Sequence, residues 1–296
     1  AMRLVDVEKV KARKFKVVVD AVNSIGGVVI PALLRKLGCE VVELNCEPNG
    51  HFAHNPEPIP QNLTEITEVV RREKADLGVV VDPDVDRLAL VNEDGTMFGE
   101  EYTLVAVADY ILSREKGNTV SNLSSSRALS DITVAHGGEY SASAVGEVNV
   151  VTKMKEVGAV IGGEGNGGVI YPALHYGRDA MVGVALFLTN LAYKKMKVSE
   201  LRASYPEYVI AKNKIELSDS ALIDRILEEV KTVYAAEDIN TIDGVKISFE
   251  AKKEWVHLRR SNTEPIIRIY AEAATAEAAD ALAQQIIAIA NKIIGE

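Results

Sequence analysis

The stretch Leu77-Gly78-Val79-Val80-Val81-Asp82-Pro83-Asp84-Val85-Asp86-Arg87-Leu88-Ala89-Leu90-Val91 decides how this chain is read. Two short apolar runs flank a charged loop. Runs of this length are what buried strands use, so 77–81 and 88–91 read as strands, with Glu93-Asp94-Gly95-Thr96 as the turn behind the second. Upstream, 16–20 and 40–44 read as two further strands. Between them lies a periodic helix, 28–37, closed by Gly38. A Pro/Asn/Gly-rich loop, 48–60, leads into a polar-faced helix ending near Lys74, and a helix over 100–113 closes the unit. Alternation of strands and helices implies a parallel-type α/β sheet.

A second unit of similar character begins near Gly117. Strands are expected at 119–123, near Tyr140 and at 159–161; helices are expected at 125–135, 148–156 and 179–195. Tyr205-Pro206-Glu207 reads as a linker. Beyond it the pattern changes: helices at 218–235 and 274–294 flank strands at 245–249, 255–258 and 266–271, a small α+β arrangement. The expected division is therefore 1–115, 116–205 and 206–296. No internal repeat stands out in the sequence, although the first two units share an α/β character.

Composition narrows the function classes. The chain has 296 residues, 33 Lys plus Arg against 43 Asp plus Glu, and a net charge of −10. At about 100–200 residues per domain that is two or three domains. A content of 47% hydrophobic and 26% charged residues excludes disorder. The acidic balance excludes general phosphate-backbone recognition, so no nucleic-acid partner is expected. Cys39 and Cys46 are too few for a disulfide framework and match no zinc spacing, so they read as reduced thiols of a cytoplasmic protein. No apolar run approaches the roughly 18–20 residues of a membrane span, and no leader pattern opens the chain. Ala1-Met2 sets an alanine before a methionine, which reads as an artificial start inside a longer protein.

Three loops carry candidate chemistry. In the first, Asp82, Asp84 and Asp86 are carboxylates at alternate positions around a proline, suited to a hard divalent cation. An EF-hand is excluded, because its sixth position requires glycine and here is Arg87, and because the flanks are strands. The alternative is a solvated acidic turn. The second loop, Gly162-Gly163-Glu164-Gly165-Asn166-Gly167-Gly168, is no dinucleotide fingerprint. Glu164 and Asn166 offer an acceptor and an amide suited to sugar hydroxyls; a plain tight turn is the competing reading. The third loop, Arg259-Arg260-Ser261-Asn262-Thr263-Glu264-Pro265, has Arg268 beyond it. Guanidinium forks, hydroxyls and turn N–H groups make a phosphate-binding inventory, against a polar surface turn in which Arg268 pairs with Glu264 or Glu272. His51 and His54 lie in a polar loop, and His136, His175 and His257 have no partner at metal spacing. Gly177-Arg178-Asp179 reads as the cap of the helix that follows.

Taken together, the three loops resemble the α-D-phosphohexomutase family, which comprises phosphoglucomutases, phosphomannomutases and phosphoglucosamine mutases. Asp82 to Arg87 matches the family's D-x-D-x-D-R metal loop throughout. Gly163 to Gly168 aligns with the G-E-x-S-G-H sugar loop with two departures, and Gly168 stands where histidine is often found. Arg259 to Pro265 with Arg268 matches the R-x-S-x-T-E-P-x-x-R phosphate loop. The resemblance covers essentially the whole chain. It implies two mixed-sheet α/β domains followed by a small α+β domain of TATA-binding-protein-like fold.

The family also implies a first domain bearing a phosphoserine. His54-Asn55-Pro56 is a tempting match to its T-x-S-H-N-P loop, but Ala53 stands in place of the serine. The segment 52–63 instead resembles the F-x-x-x-P-x-P-x-x-x-N-L loop of the second domain. The expectation is a chain holding domains two to four, inactive as it stands, its missing N-terminal domain belonging in cis. The resemblance implies transfer of a phosphoryl group between O1 and O6 of a hexose phosphate through a phosphoserine and a bisphosphate intermediate. In it Mg²⁺ sits on Asp82, Asp84 and Asp86, and Arg87 helps hold the phosphoserine as the catalytic residue of this chain. Glu164 and Asn166 hold the sugar, while Arg259, Ser261, Asn262, Thr263 and Arg268 grip the non-reacting phosphate. The glycine-rich version of the sugar loop, Gly177-Arg178-Asp179, and Val145-Gly146-Glu147, where a carboxylate meets a sugar amine, resemble phosphoglucosamine mutases. Glucosamine phosphate is thus the first expectation and glucose or mannose phosphate the second. Two other classes stay open: a non-catalytic sugar-phosphate-binding protein, and a metal-dependent phosphatase with Asp82 as nucleophile.

Overall fold

The computed structural model describes residues 1–217, 221–261 and 266–295. By internal contacts the chain forms two units: 1–142 with 146–206, and 143–145 with the chain from Glu207 onward.

The first unit opens with α1 (Val7–Arg13), β1 (Lys16–Asp20), α2 (Gly26–Lys36), β2 (Glu40–Leu44), α3 (Thr64–Glu73), β3 (Leu77–Val81) and β4 (Leu88–Asn92). Its sheet runs in the order β2-β1-β3-β4. β1 pairs in parallel with both β2 and β3, and β4 returns antiparallel to β3. All residues of β3 and β4 are buried, which is why both runs are continuously apolar up to Asn92. Val18, Val80, Ala89 and Val91 meet Leu63, Ile66, Val69 and Val70 of α3 and its approach in one core cluster.

The same unit continues with α4 (Glu100–Arg114), β5 (Asn118–Asn122), α5 (Ala128–Ala135), β6 (Tyr140–Ser143), α6 (Glu147–Val157), β7 (Ala159–Glu164), β8 (Gly168–Ile170), α7 (Ala180–Lys194) and α8 (Val198–Ala203). The second sheet runs β6-β5-β7-β8, with β5 and β7 parallel and β8 antiparallel to β7. This is the order of the first sheet again. The internal repeat that the sequence does not display is therefore present as topology, because strand order can persist where side-chain identity does not. α4 and α7 are buried on nearly every face, the pattern of helices enclosed by other elements, and Phe98 meets Phe187 edge-on with centroids 5.2 Å apart.

The glycines expected to begin a loop at 162 instead extend β7 to Glu164, leaving only 165–167 as the turn. The reason is close approach. A Cβ on Gly162 would lie 2.6 Å from Met154 Sδ and 2.7 Å from the Val120 carbonyl oxygen, so glycine lets α6 and β5 press against the strand.

The second unit contains β9 (Val209–Glu216), α9 (Ala221–Val233), β10 (Asp238–Asn240), β11 (Val245–Phe249), β12 (Glu254–Arg260), β13 (Ile266–Ala273) and α10 (Ala276–Ile294). Its sheet is antiparallel throughout in the order β10-β11-β12-β13-β9. Ile223, Ile226 and Val230 of α9 and Leu282, Ile286 and Ile293 of α10 share one core with Ile247, Val256, Leu258 and Ile269. The expected α+β arrangement is present, with β9 and β10 added. Cys39 and Cys46 are free thiols. Among the described residues no helix is long and apolar enough to cross a membrane.

Candidate functional site

The β3–β4 connection, 82–87, and the β7–β8 connection, 165–167, occupy equivalent places in the two sheets of the first unit. They meet directly. Leu88 donates its N–H to the Gly167 carbonyl at 3.1 Å, and Arg87 bridges to Gly168. At the other side of the first loop, Ala180 at the start of α7 donates to the Val85 carbonyl at 3.0 Å.

Asp82 builds the first loop. Its Oδ1 accepts the backbone N–H groups of Asp86 at 3.1 Å and Arg87 at 3.0 Å, folding the chain over the buried side chain. The fold forces Val85 to φ 62°, a left-handed conformation that a β-branched residue adopts only when its surroundings impose it. One ligand atom each from Asp82, Asp84 and Asp86 lies within 4.8 Å of the others. Asp82 is buried, Asp84 exposed and Asp86 in between. Burial, followed by the neighbouring carboxylates of Asp86 and Asp84, pushes the Asp82 carboxyl well above its usual range, against the opposing effect of the Arg87 N–H. Asp86 Oδ1 is buried without a hydrogen-bond partner. An all-oxygen donor set with a bare, inward oxygen fits a hard divalent cation. Arg87 places its Nε 3.3 Å from Asp82 Oδ2 and 3.7 Å from Asp86 Oδ1, without a hydrogen bond.

Glu164 ends β7 directly opposite Gly168. Its carboxylate is consumed internally: Oε1 accepts from Asn122 Nδ2 at 2.8 Å and from the Gly146 N–H at 3.1 Å. Oε2 pairs with Arg178 Nη1 at 2.9 Å. Asn166 uses its Oδ1 to accept the Gly168 N–H at 3.1 Å. Arg178, read from sequence as part of a helix cap and of a segment resembling phosphoglucosamine mutases but not as a site residue, is a principal member of the site. Its Nη2 is paired with Asp86 Oδ2, and its Nε lies 3.2 Å from Glu147 Oε2. Glu147 Oε1 also accepts the Arg178 N–H at 3.1 Å, so this carboxylate holds Arg178. The helix cap itself is made by Asp179, which accepts from the Val182 N–H at 3.0 Å.

In the second unit Arg259 and Arg268 face one another across the β12–β13 ladder. Arg259 is largely buried, its Nε 3.8 Å from Asp243 Oδ2 and without a hydrogen bond. Ser261 is buried and donates its N–H to Ile266 at 3.0 Å, extending the ladder by one step. Asn262 and Thr263 lie outside the described residues. Arg260 points away to pair with Asp224 at 3.0 Å.

Comparison with known proteins is consistent along the whole length. Three models match in order: phosphoglucomutase/phosphomannomutase alpha/beta/alpha domain II over 1–95, alpha/beta/alpha domain III over 99–208, and the C-terminal domain over 213–289. A probable phosphoglucosamine mutase of Methanopyrus kandleri is 35% identical over 297 residues, covering 99% of this chain and 65% of its own. A phosphoglucomutase/phosphomannomutase of Thermococcus kodakarensis is 39% identical over 279 residues, covering 93% and 60%. The chain thus spans less than two thirds of either relative. Among solved structures, a phosphoglucomutase/phosphomannomutase family protein from Burkholderia thailandensis superposes with a TM-score of 0.84 at 29% identity, covering 98% of this chain and 64% of its own.

Proposed function

This chain belongs to the phosphoglucomutase/phosphomannomutase family, and on that premise we propose that the whole protein moves a phosphoryl group between O1 and O6 of a hexose phosphate, with glucosamine phosphate as first substrate. The observation that carries this reading is the three-carboxylate loop with its bare, buried Asp86 oxygen, joined by backbone pairing to the glycine loop. A polar sugar site beside a cation site is what positioned phosphoryl transfer requires.

In this reading Asp82, Asp84 and Asp86 hold Mg²⁺, which supplies charge neutralisation for the transferring phosphoryl group. Arg87, about a third exposed beside those carboxylates, offers its guanidinium to the phosphoserine. The serine itself is assigned to a domain ahead of these residues, and the chain alone to an inactive state. Glu164 and Asn166 line the sugar site. Since Glu164 is already bound by Asn122, Gly146 and Arg178, it serves chiefly by fixing the loop, and its acceptor capacity toward a hydroxyl is shared with those donors. Arg259, Ser261 and Arg268, with Asn262 and Thr263, hold the phosphate that does not react. The bisphosphate intermediate must present either end in turn, so contacts at its two ends are expected to be nearly symmetric.

The amino-sugar preference draws support from the naming of the Methanopyrus relative and from Glu147, a carboxylate about a third exposed beside Arg178. The test is ³¹P NMR of the full-length protein with Mg²⁺ and glucosamine 6-phosphate, glucose 6-phosphate and mannose 6-phosphate in parallel. Faster formation of the 1-phosphate from glucosamine 6-phosphate supports the reading. Turnover of the other sugars alone reassigns the substrate, and release of inorganic phosphate without isomerisation replaces the mutase with a phosphatase.

A further inference from the structure

Gly168 and Arg178 account for one another. A Cβ on Gly168 would lie 2.4 Å from Arg178 Cδ, so the absence of a side chain at 168 is what lets the arginine cross β8 and reach the acidic loop. Its guanidinium then serves three segments at once: Asp86 of the first loop, Glu164 at the end of β7 and Glu147 at the start of α6. The side chain is 16% exposed, which places these charges where screening is weak. The nearest rival, Arg87, stands 3.7 Å from Asp86 Oδ1 and makes no hydrogen bond through Nε.

Resting on the cation reading above, we propose that Arg178 is an internal counter-cation: it neutralises Asp86 through Oδ2, and loosens its hold on that carboxylate when a divalent ion takes the bare Oδ1. Releasing Asp86 leaves Arg178 two of its three carboxylate partners, Glu147 and Glu164, so displacement costs one contact. Of those partners Glu164 belongs to the sugar loop and Glu147 opens α6 beside it. Cation binding therefore strengthens the hold of Arg178 on Glu164 and Glu147, and occupancy of the cation site is linked to the order of the sugar loop through one side chain. Arg178 is a positioning residue in this scheme; it touches neither the transferred group nor the cation.

The experiment is titration calorimetry of Mg²⁺ into the wild-type protein and the Arg178→Met, Gly168→Ala, Glu164→Gln and Asp84→Asn variants, with thermal melts of each with and without Mg²⁺. Losing a competing cation should raise Mg²⁺ affinity in Arg178→Met by about tenfold, the low end of what one charge-assisted contact is worth. It should also enlarge the Mg²⁺-induced rise in Tm. Gly168→Ala should move in the same direction by crowding the arginine off its path, which covers the case of Arg178→Met failing to fold. Glu164→Gln should lower Mg²⁺ affinity in the wild-type background and have a smaller effect in the Arg178→Met background. Merely structural damage would lower affinity, so unchanged or weakened binding in Arg178→Met and Gly168→Ala overturns the proposal. If the wild type binds Mg²⁺ and Asp84→Asn does not, such a result removes this inference alone. If the wild type takes up no Mg²⁺, the cation reading fails and this proposal with it.

Discussion

Arg259 and Arg268 stand directly opposite one another in the antiparallel β12–β13 ladder. Like charges in that position repel and weaken a sheet, and Asp243, 3.8 Å from Arg259 Nε without a hydrogen bond, offsets this only in part. The arrangement becomes favourable when an anion is shared between them, which is the strongest structural support for phosphate binding in the second unit.

Arg259→Ala should therefore separate binding from stability. Loss of a charge-assisted contact should weaken sugar-phosphate binding by about 10- to 100-fold. Relief of the repulsion and loss of the long Asp243 contact oppose one another, so Tm should stay nearly unchanged. Calorimetry with glucosamine 6-phosphate and a thermal melt of the same protein check both parts. A falling Tm with intact affinity would make Arg259 a structural residue.

Within the acidic loop the three aspartates should behave differently. Asp84 is exposed, so Asp84→Asn should abolish Mg²⁺ binding in calorimetry while sparing the melt. Asp82 holds the loop through the N–H groups of Asp86 and Arg87, and Asp82→Ala should cost about 1–3 kcal/mol of stability as well as the cation. Equal melting of the two variants would contradict the separate roles.

The parts of this architecture legible in sequence are those where one physical demand acts alone. β1, β3 and β4 are buried strands and read as apolar runs. β9 was hidden because its residues from Lys212 to Glu216 alternate between exposed and half-buried, so charged residues interrupt the apolar signal. The carboxylates of Asp82, Asp84 and Asp86 share one short loop and announce themselves. Arg178 does not, because its partners Glu164 and Glu147 lie 14 and 31 residues away and only the fold gathers them. The glycine at 168 was visible as a departure from the family pattern, but its physical reason is the arginine that passes over it.

Gly167→Ala should be harmful for two independent reasons. The residue has φ +87°, and a Cβ there would lie 2.3 Å from the Leu88 carbonyl oxygen, where the two loops join. Backbone strain of this kind costs about 1–3 kcal/mol. Urea unfolding should show the loss, and Mg²⁺ affinity should fall with it because the acidic loop is braced at Leu88. Stability equal to wild type would mean that the loop junction relaxes freely.

The second unit should carry an acid sensitivity centred on His257. The residue is buried in β12 and donates Nε2–H to the Asp243 carbonyl at 2.6 Å. Burial first, then the charges of Lys246 and Arg259, push the imidazole down from 6.5 to about 4, against the effect of the Asp243 carbonyl and carboxylate. In the unfolded chain it protonates near 6.5, so between pH 6.5 and 4 the unfolded state binds the proton and the folded state does not. Stability is thus full above pH 6.5, falls as pH drops through this window, and levels off below 4. At about 1.4 kcal/mol per unit the loss attributable to this residue is about 3 kcal/mol. Trp255, the one tryptophan of the chain, sits two residues away in the same strand, so its fluorescence reports unfolding of this unit. Urea titrations at stepped pH should show the wild type losing about 3 kcal/mol relative to His257→Gln between pH 7 and 4. Parallel pH profiles for the two proteins would show that His257 takes up its proton while folded.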